Sequence, residues 1–68
     1  MNEVKIKTDI IKLDSFLKWS GAVNMGSDAK MYIKNGEVKV NGEVELRRGK
    51  KLTLGDEIEF EGETYKII

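Results

Sequence analysis

Cysteine and histidine are both absent from this chain of 68 residues. Without them the chain can form no disulfide, thiol nucleophile, Cys/His zinc site or imidazole acid–base pair. No apolar run approaches the length of a membrane span or of a signal peptide. Each glycine stands alone, so no glycine-rich phosphate loop is present. The composition predicts one soluble, cytoplasmic domain over residues 1–68, with no membrane contact.

Carboxylates remain as candidates for catalysis or metal binding, and five of them lie close together near the C-terminus. Four of the five alternate with Ile58 and Phe60, which is typical of the solvated outer face of a strand. A paired acid–base site needs one carboxyl group that is shielded from water, and no spacing resembles a metal-binding loop. We therefore predict no catalytic residue, no metal and no cofactor. The five are Asp56, Glu57, Glu59, Glu61 and Glu63.

Helical spacing appears twice in the first half of the chain. Leu13 and Leu17 lie one turn apart and predict a first short helix, which Gly21 is suited to end. Ser27 is predicted to be the N-cap of a second helix, which ends at Asn35-Gly36.

The remaining segments alternate in the manner of strands, at residues 3–7, 38–40, 58–60 and 64–68. The predicted fold class is α+β, with two short helices packed on a small, mainly antiparallel sheet. We expect the N-terminal strand to pair with the last one. The predicted core consists of Leu13, Phe16, Leu17, Val23, Ala29, Ile33, Val38, Val40, Val44, Leu52, Leu54, Ile58, Phe60 and Ile67.

The Asn41-Gly42 pair after Val40 predicts a hairpin, with two possible registers. A two-residue loop would place Val38 opposite Glu45. A three-residue loop with a bulge at Gly42 would place Val38 opposite Val44 and bury both valines on one face. We favour the bulged register because it buries more apolar surface.

The formal net charge is zero, but the two signs are unevenly distributed. Residues 1–54 contain eleven Lys and Arg against seven Asp and Glu, a net charge of +4. Residues 55–68 contain five acidic residues and one lysine, a net charge of −4. This polarity leaves a basic surface available for a nucleic acid, although a mixed solvated surface would also explain it.

Basic residues are concentrated in two places. Lys30 and Lys34 lie on one face of the predicted second helix, and Arg47 to Lys51 includes four cations in five residues. A single lysine is usually a solvated side chain, whereas four neighbouring like charges repel and favour a function in phosphate binding. Trp19 and Tyr32 could stack on bases or could cover the edge of the core. The candidate RNA-binding residues are Lys12, Lys18, Ser27, Lys30, Lys34, Lys39, Asn41, Arg47, Arg48, Lys50 and Lys51.

The register from Lys12 to Val44 contains a longer pattern: Leu13-Asp14, Gly21, Ala29-Lys30, Ile33 and then Gly36-x-Val-x-Val-Asn-Gly. It resembles the S4 RNA-binding domain, without a gap, and Gly55-Asp-Glu-Ile fits the continuation. The resemblance implies an S4-like fold of the alpha-L type, in which two helices and the adjoining turn face structured RNA.

Two departures from the family pattern affect its basic positions. Lys12 replaces an arginine, and Met25-Gly26 replaces Ser-Arg. The Arg47–Lys51 loop is more basic than is usual in the family, as in its short stand-alone bacterial members. The departures move the predicted RNA contact toward this loop.

Two hypotheses follow from the sequence. The first is a non-catalytic, monomeric RNA-binding module that recognises structured RNA, either ribosomal or transfer RNA, with the ribosome as a candidate partner. The alternative is a protein-interaction module on the same scaffold that has lost RNA binding, as the missing arginine at Gly26 and the acidic C-terminal strand suggest.

Overall fold

The computed structural model describes the whole chain, Met1–Ile68. The chain forms two helices and seven strands. In chain order they are β1 (Asn2–Val4), β2 (Ile11–Lys12), α1 (Leu13–Trp19), α2 (Gly26–Lys34), β3 (Val38–Val40), β4 (Glu43–Val44), β5 (Lys51–Leu52), β6 (Glu57–Phe60) and β7 (Glu63–Ile67).

Five of the strands form one sheet in the order β1-β7-β6-β3-β4. Only the β1–β7 pair is parallel, and it places Val4 opposite Ile67. The amide of Ile68 donates to the carbonyl of Val4 at 2.9 Å, so the two ends of the chain are joined as predicted. The two remaining strands, β2 and β5, pair separately and antiparallel.

Both helices contribute fully buried side chains to a core shared with the sheet. All twelve buried residues are apolar and all were predicted from the sequence. The α+β class, with two helices on a mainly antiparallel sheet, is confirmed. The buried residues are Leu13, Phe16, Leu17, Val23, Ala29, Ile33, Val38, Val40, Leu52, Ile58, Phe60 and Ile67.

Two predicted core residues lie outside the core. Leu54 is 73% exposed because it lies in a turn, where the amide of Thr53 donates to the Asp56 carboxylate at 2.8 Å. The alternation of buried and exposed residues that is typical of a strand therefore ends before Leu54. Val44 is half exposed because β4 is the edge strand and Val44 lies opposite Lys39, on the face away from Val38.

The predicted bulge in the β3–β4 hairpin is wrong. Val40 pairs with Glu43, and the amide of Glu45 donates to the carbonyl of Val38 at 3.0 Å, which is the two-residue register. Asn41 and Gly42 both have positive φ, 51° and 87°, as a type I′ turn requires. The twist of this turn matches the twist of the two flanking strands. The turn therefore determines the pairing register, although Val44 stays half exposed in it.

The sequence predicted the C-terminal end of α2 correctly but not its N-terminal end. Ser27 is not the N-cap: the helix begins at Gly26, and Met25 occupies the cap position without a side-chain hydrogen bond. At the other end Gly36 has a φ of +78°, and the amide of Glu37 donates to the carbonyl of Tyr32 at 3.0 Å. This is the Schellman arrangement that the Asn35-Gly36 pair predicts.

The first strand ends at Val4 rather than at Lys7. The carbonyl of Lys5 accepts a hydrogen bond from the Trp19 indole at 2.9 Å, so the chain turns from the sheet toward α1. Val4 and Ile6 still pack on the core, while Lys5 and Lys7 are exposed, as their alternation predicts.

Candidate nucleic-acid interface

The segment Arg47–Lys51, the basic loop, is attached to the start of α1 through its backbone. The amides of Leu13 and Asp14 donate to the carbonyls of Lys50 and Arg48, at 2.9 and 3.1 Å. These amides belong to the first turn of α1, where no partner exists within the helix. The basic loop therefore satisfies the helix end, and its main chain is held independently of its side chains.

The short β2–β5 ladder extends this attachment. Lys12 lies directly opposite Lys51, and Ile11 lies opposite Leu52. Because Leu52 is fully buried, the ladder fixes the end of the basic loop to the core. Lys12 and Lys51 are consequently neighbours, although 39 positions separate them in the sequence.

On its other side the basic loop faces α2. Lys30 and Lys34 lie one helical turn apart, on the wall opposite Arg47 and Arg48. Between these walls is a surface depression of about 420 Å³, the basic cleft. It is lined by Lys30, Lys34, Leu46, Arg47, Arg48 and Gly49.

A second depression continues the positive surface around the basic loop. It has a volume of about 450 Å³ and is lined by Arg47, Gly49, Lys50 and Lys51. Arg47 and Gly49 belong to both depressions, so the positive surface runs from α2 across the loop. The structure therefore brings together seven of the predicted site residues: Lys12, Lys30, Lys34, Arg47, Arg48, Lys50 and Lys51.

Arg47 is held in place by Glu45 in the only ion pair of the structure. Nε of Arg47 donates to Oε2 of Glu45 at 3.0 Å and Nη2 donates to Oε1 at 3.2 Å. The backbone amide of Arg47 also donates to Oε2, at 3.1 Å. These hydrogen bonds fix the plane of the Arg47 guanidinium, while the Arg47 side chain stays 73% exposed.

These hydrogen bonds change the protonation equilibria of both partners. The side-chain hydrogen bond from Arg47, followed by its backbone hydrogen bond, lowers the pKa of Glu45 from 4.5 to about 2. The hydrogen bond to Glu45 raises the pKa of Arg47 in return. Glu45 is therefore charged at neutral pH and cancels part of the positive charge of the basic loop.

Three other predicted site residues lie apart from the basic cleft. Lys39 lies opposite Glu59 on the outer face of the sheet, in a depression that also includes four glutamates. Asn41 is engaged within the fold, because its Nδ2 donates to Asp56 and its Oδ1 accepts from the amide of Glu57. Lys18 lies in the last turn of α1, at the far end of that helix from the basic loop.

Ser27 is exposed in the first turn of α2 and precedes Lys30 by three residues. It therefore begins the same exposed stripe that Lys30 and Lys34 continue. Its backbone is helical, so it belongs to this stripe by position rather than as a cap.

Both ambiguous aromatic residues have structural contacts. The Trp19 indole donates to the Lys5 carbonyl, and Lys7 Nζ lies 5.7 Å from the centre of its ring. Tyr32 packs edge-to-face on Phe60, with ring centres 4.9 Å apart. The contact of Tyr32 supports the interpretation that its side chain covers the edge of the core, whereas Trp19 packs on the Lys5–Lys7 segment and stays 49% exposed.

Sequence reasoning missed Leu46 and Glu45 as parts of the site. Leu46 lines the basic cleft and is 61% exposed, and Glu45 orients Arg47. The alternation Val44-Glu45-Leu46 directly before the basic run is the signal that could have indicated them.

Neither α1 nor α2 has the length or apolar character needed to cross a bilayer.

A family model described as the S4 domain matches residues 4–68. The chain belongs to the S4 domain family. The probable ribosome maturation protein RlbA of Bacillus subtilis is 43% identical over 61 residues, which cover 90% of this chain and 86% of that protein. The putative RNA-binding protein YbcJ of Escherichia coli is 34% identical over 58 residues, which cover 85% and 83% of the two chains.

Solved structures of S4-domain relatives show the same fold. The solution structure of E. coli YbcJ, described as having an RNA-binding motif, superposes with a TM-score of 0.76 at 32% identity. The match covers all of this chain and 87% of YbcJ. The 30S ribosomal protein S4e from Thermoplasma acidophilum gives a TM-score of 0.67 at 26% identity, over 88% of this chain and 32% of S4e. The S4 fold inferred from Leu13-Asp14 and the Gly36–Gly42 pattern is confirmed.

Proposed function

We propose that this S4 domain is a non-catalytic RNA-binding module, a single domain over residues 1–68, that recognises structured RNA through α2 and the basic loop. The observation that carries the proposal is the basic cleft, in which Lys30 and Lys34 face Arg48. None of these three cations has a carboxylate within 4.0 Å. Their charges are therefore free to neutralise phosphates.

The arrangement suits the RNA backbone for a chemical reason. Phosphate binding needs several donors that converge on one surface, and each contact releases a condensed counterion. Arginine adds a planar, two-pronged contact with phosphate oxygens, which lysine cannot make. Because the basic loop is attached through the carbonyls of Arg48 and Lys50, its cations are presented without ordering a free segment.

The descriptions of the relatives support the choice of RNA and favour a ribosomal one. One is described as a probable ribosome maturation protein and another as a putative RNA-binding protein. From these descriptions we infer a ribosomal RNA in preference to a transfer RNA, contact with the ribosome, and a cytoplasmic location. We also propose that the protein acts as a monomer.

The position of Gly26 supports a leading role for the basic loop. Gly26 is exposed at the start of α2, and apart from its chain neighbours and the backbone of its own helix no atom lies within 4 Å of where its side chain would begin. The family arginine would fit there, but this chain supplies its cations from Arg47–Lys51 instead.

The salt dependence of binding tests this proposal. Binding of the wild-type protein to a labelled RNA hairpin should weaken steeply with salt, because each phosphate contact contributes a slope of about −0.7 to −0.9 in log affinity against log salt. Four contacts would give a slope of about −3. Fluorescence anisotropy at increasing KCl concentrations measures it. A flat response, or no binding at low salt, would instead favour the protein-interaction module.

A further inference from the structure

Leu46 is the one apolar side chain among the six residues that line the basic cleft. It is 61% exposed, and four of the other five lining residues are cationic. A side chain built on Gly36 would have its first carbon 3.9 Å from Cδ2 of Leu46 and 3.7 Å from Cγ1 of Val44. Leu46 therefore rests against the end of α2 with its other side open to the cleft.

Binding of a phosphate group alone does not explain why a leucine lines the cationic cleft. Phosphate oxygens need hydrogen-bond donors and positive charge, and they gain nothing from a leucine. Lys30 and Lys34 line the same cleft as Leu46, and a lysine side chain offers an aliphatic stem as well as its charge. The cleft thus combines apolar and cationic lining.

An unpaired nucleotide has the complementary arrangement. Its base offers a flat, weakly hydrated face, and its phosphates carry negative charge on either side. The cleft volume of about 420 Å³ falls within the range of small-ligand sites, about 300 to 1,000 Å³. Arg48, which has no carboxylate partner, can reach a flanking phosphate or stack on the base.

Building on the proposed RNA binding, we infer that the basic cleft holds one unpaired RNA nucleotide, with its base on Leu46. The flanking phosphates lie on Lys30, Lys34 and Arg48. A continuous duplex would have to break a pair and unstack a base to fill the cleft, whereas a bulged nucleotide is already unpaired. The protein should therefore prefer a bulged helix to a fully paired one.

Three labelled hairpins test the inference: a fully paired stem, the same stem with one bulged nucleotide, and that stem with an abasic residue at the bulge. We expect the wild-type protein to bind the bulged stem about fivefold more tightly than the paired stem, since the base buries apolar surface against Leu46. The abasic bulge should remove the preference, because it keeps the phosphate and lacks the base.

The matched variants are Leu46→Ser and Leu54→Ser, which each replace an exposed leucine. Leu46→Ser should lose the preference and bind the bulged and paired stems with equal affinity, while Leu54→Ser should retain the wild-type preference. Equal binding of both stems by the wild type, or an equal loss on both stems in Leu46→Ser, would overturn the inference. Absence of binding to every stem would overturn the proposed function itself, which distinguishes the two failures.

Discussion

Replacement of Arg47, Arg48, Lys50 and Lys51 together by glutamine should weaken binding of structured RNA by about tenfold or more at low salt. Arg47 and Arg48 are the two loop cations that line the basic cleft, and Arg47, Lys50 and Lys51 are all the cations of the adjoining depression. Loss of Arg47 also leaves the Glu45 carboxylate unpaired and negative beside the interface. Affinity should therefore fall by more than the lost contacts alone would cause.

The fold should survive this change, because the loop is held by the carbonyls of Arg48 and Lys50 and by the β2–β5 ladder. Circular dichroism and thermal unfolding check that point, and anisotropy on one hairpin measures the affinity. Glutamine at Lys5, Lys7 and Lys66 removes three positive charges outside the basic cleft and outside the candidate residues, and is the control. Unchanged affinity in the loop variant, or an equal loss in the control, would contradict the role of the basic loop.

Replacement of Phe16 by alanine should unfold most of the protein at room temperature. Phe16 is fully buried in α1, and its ring meets that of Tyr65 edge-on, with centres 6.4 Å apart. Deletion of a buried phenylalanine side chain costs about 3–5 kcal/mol, because it loses transfer free energy and leaves a cavity. A core in a domain of this size supplies about the same amount in total, about 3–5 kcal/mol.

Urea unfolding followed by circular dichroism measures the effect of Phe16→Ala. Leu54→Ala is the control, since Leu54 is exposed in a turn and its removal should change the free energy of unfolding by about 0.5 kcal/mol or less. A cooperative transition in Phe16→Ala at the wild-type urea concentration would contradict the described core.

The buried half of the fold was predictable because it follows local periodicity. Leu13, Phe16 and Leu17 repeat at the helical spacing, and Ile58 and Phe60 alternate as in a half-buried strand. Val44 was mispredicted because its environment is decided at long range: no strand lies beyond β4. The hairpin register and Leu54 were mispredicted because turns decide them, through the positive φ of Asn41 and Gly42 and the hydrogen bond from Thr53 to Asp56.

The candidate site was also only partly predictable from the sequence. The stripe of Lys30 and Lys34 and the run of four loop cations are local patterns, but only the tertiary fold places them on facing walls. Lys39 was predicted as a site residue on the same grounds, but it lies among glutamates because β3 pairs with β6 in the sheet. The individual RNA contacts of all eleven candidate residues stay predictions.

The most direct test of the account is to map the RNA-binding surface on the wild-type protein by NMR. Amide signals of an isotope-labelled sample would be followed while a bulged RNA hairpin is added. We predict that the largest shifts lie in α2 and in residues 46–51, while the signals of β6 and β7 change little. Shifts concentrated on β6 and β7, or no shifts at all, would contradict the claim that the basic cleft and the basic loop form the RNA interface.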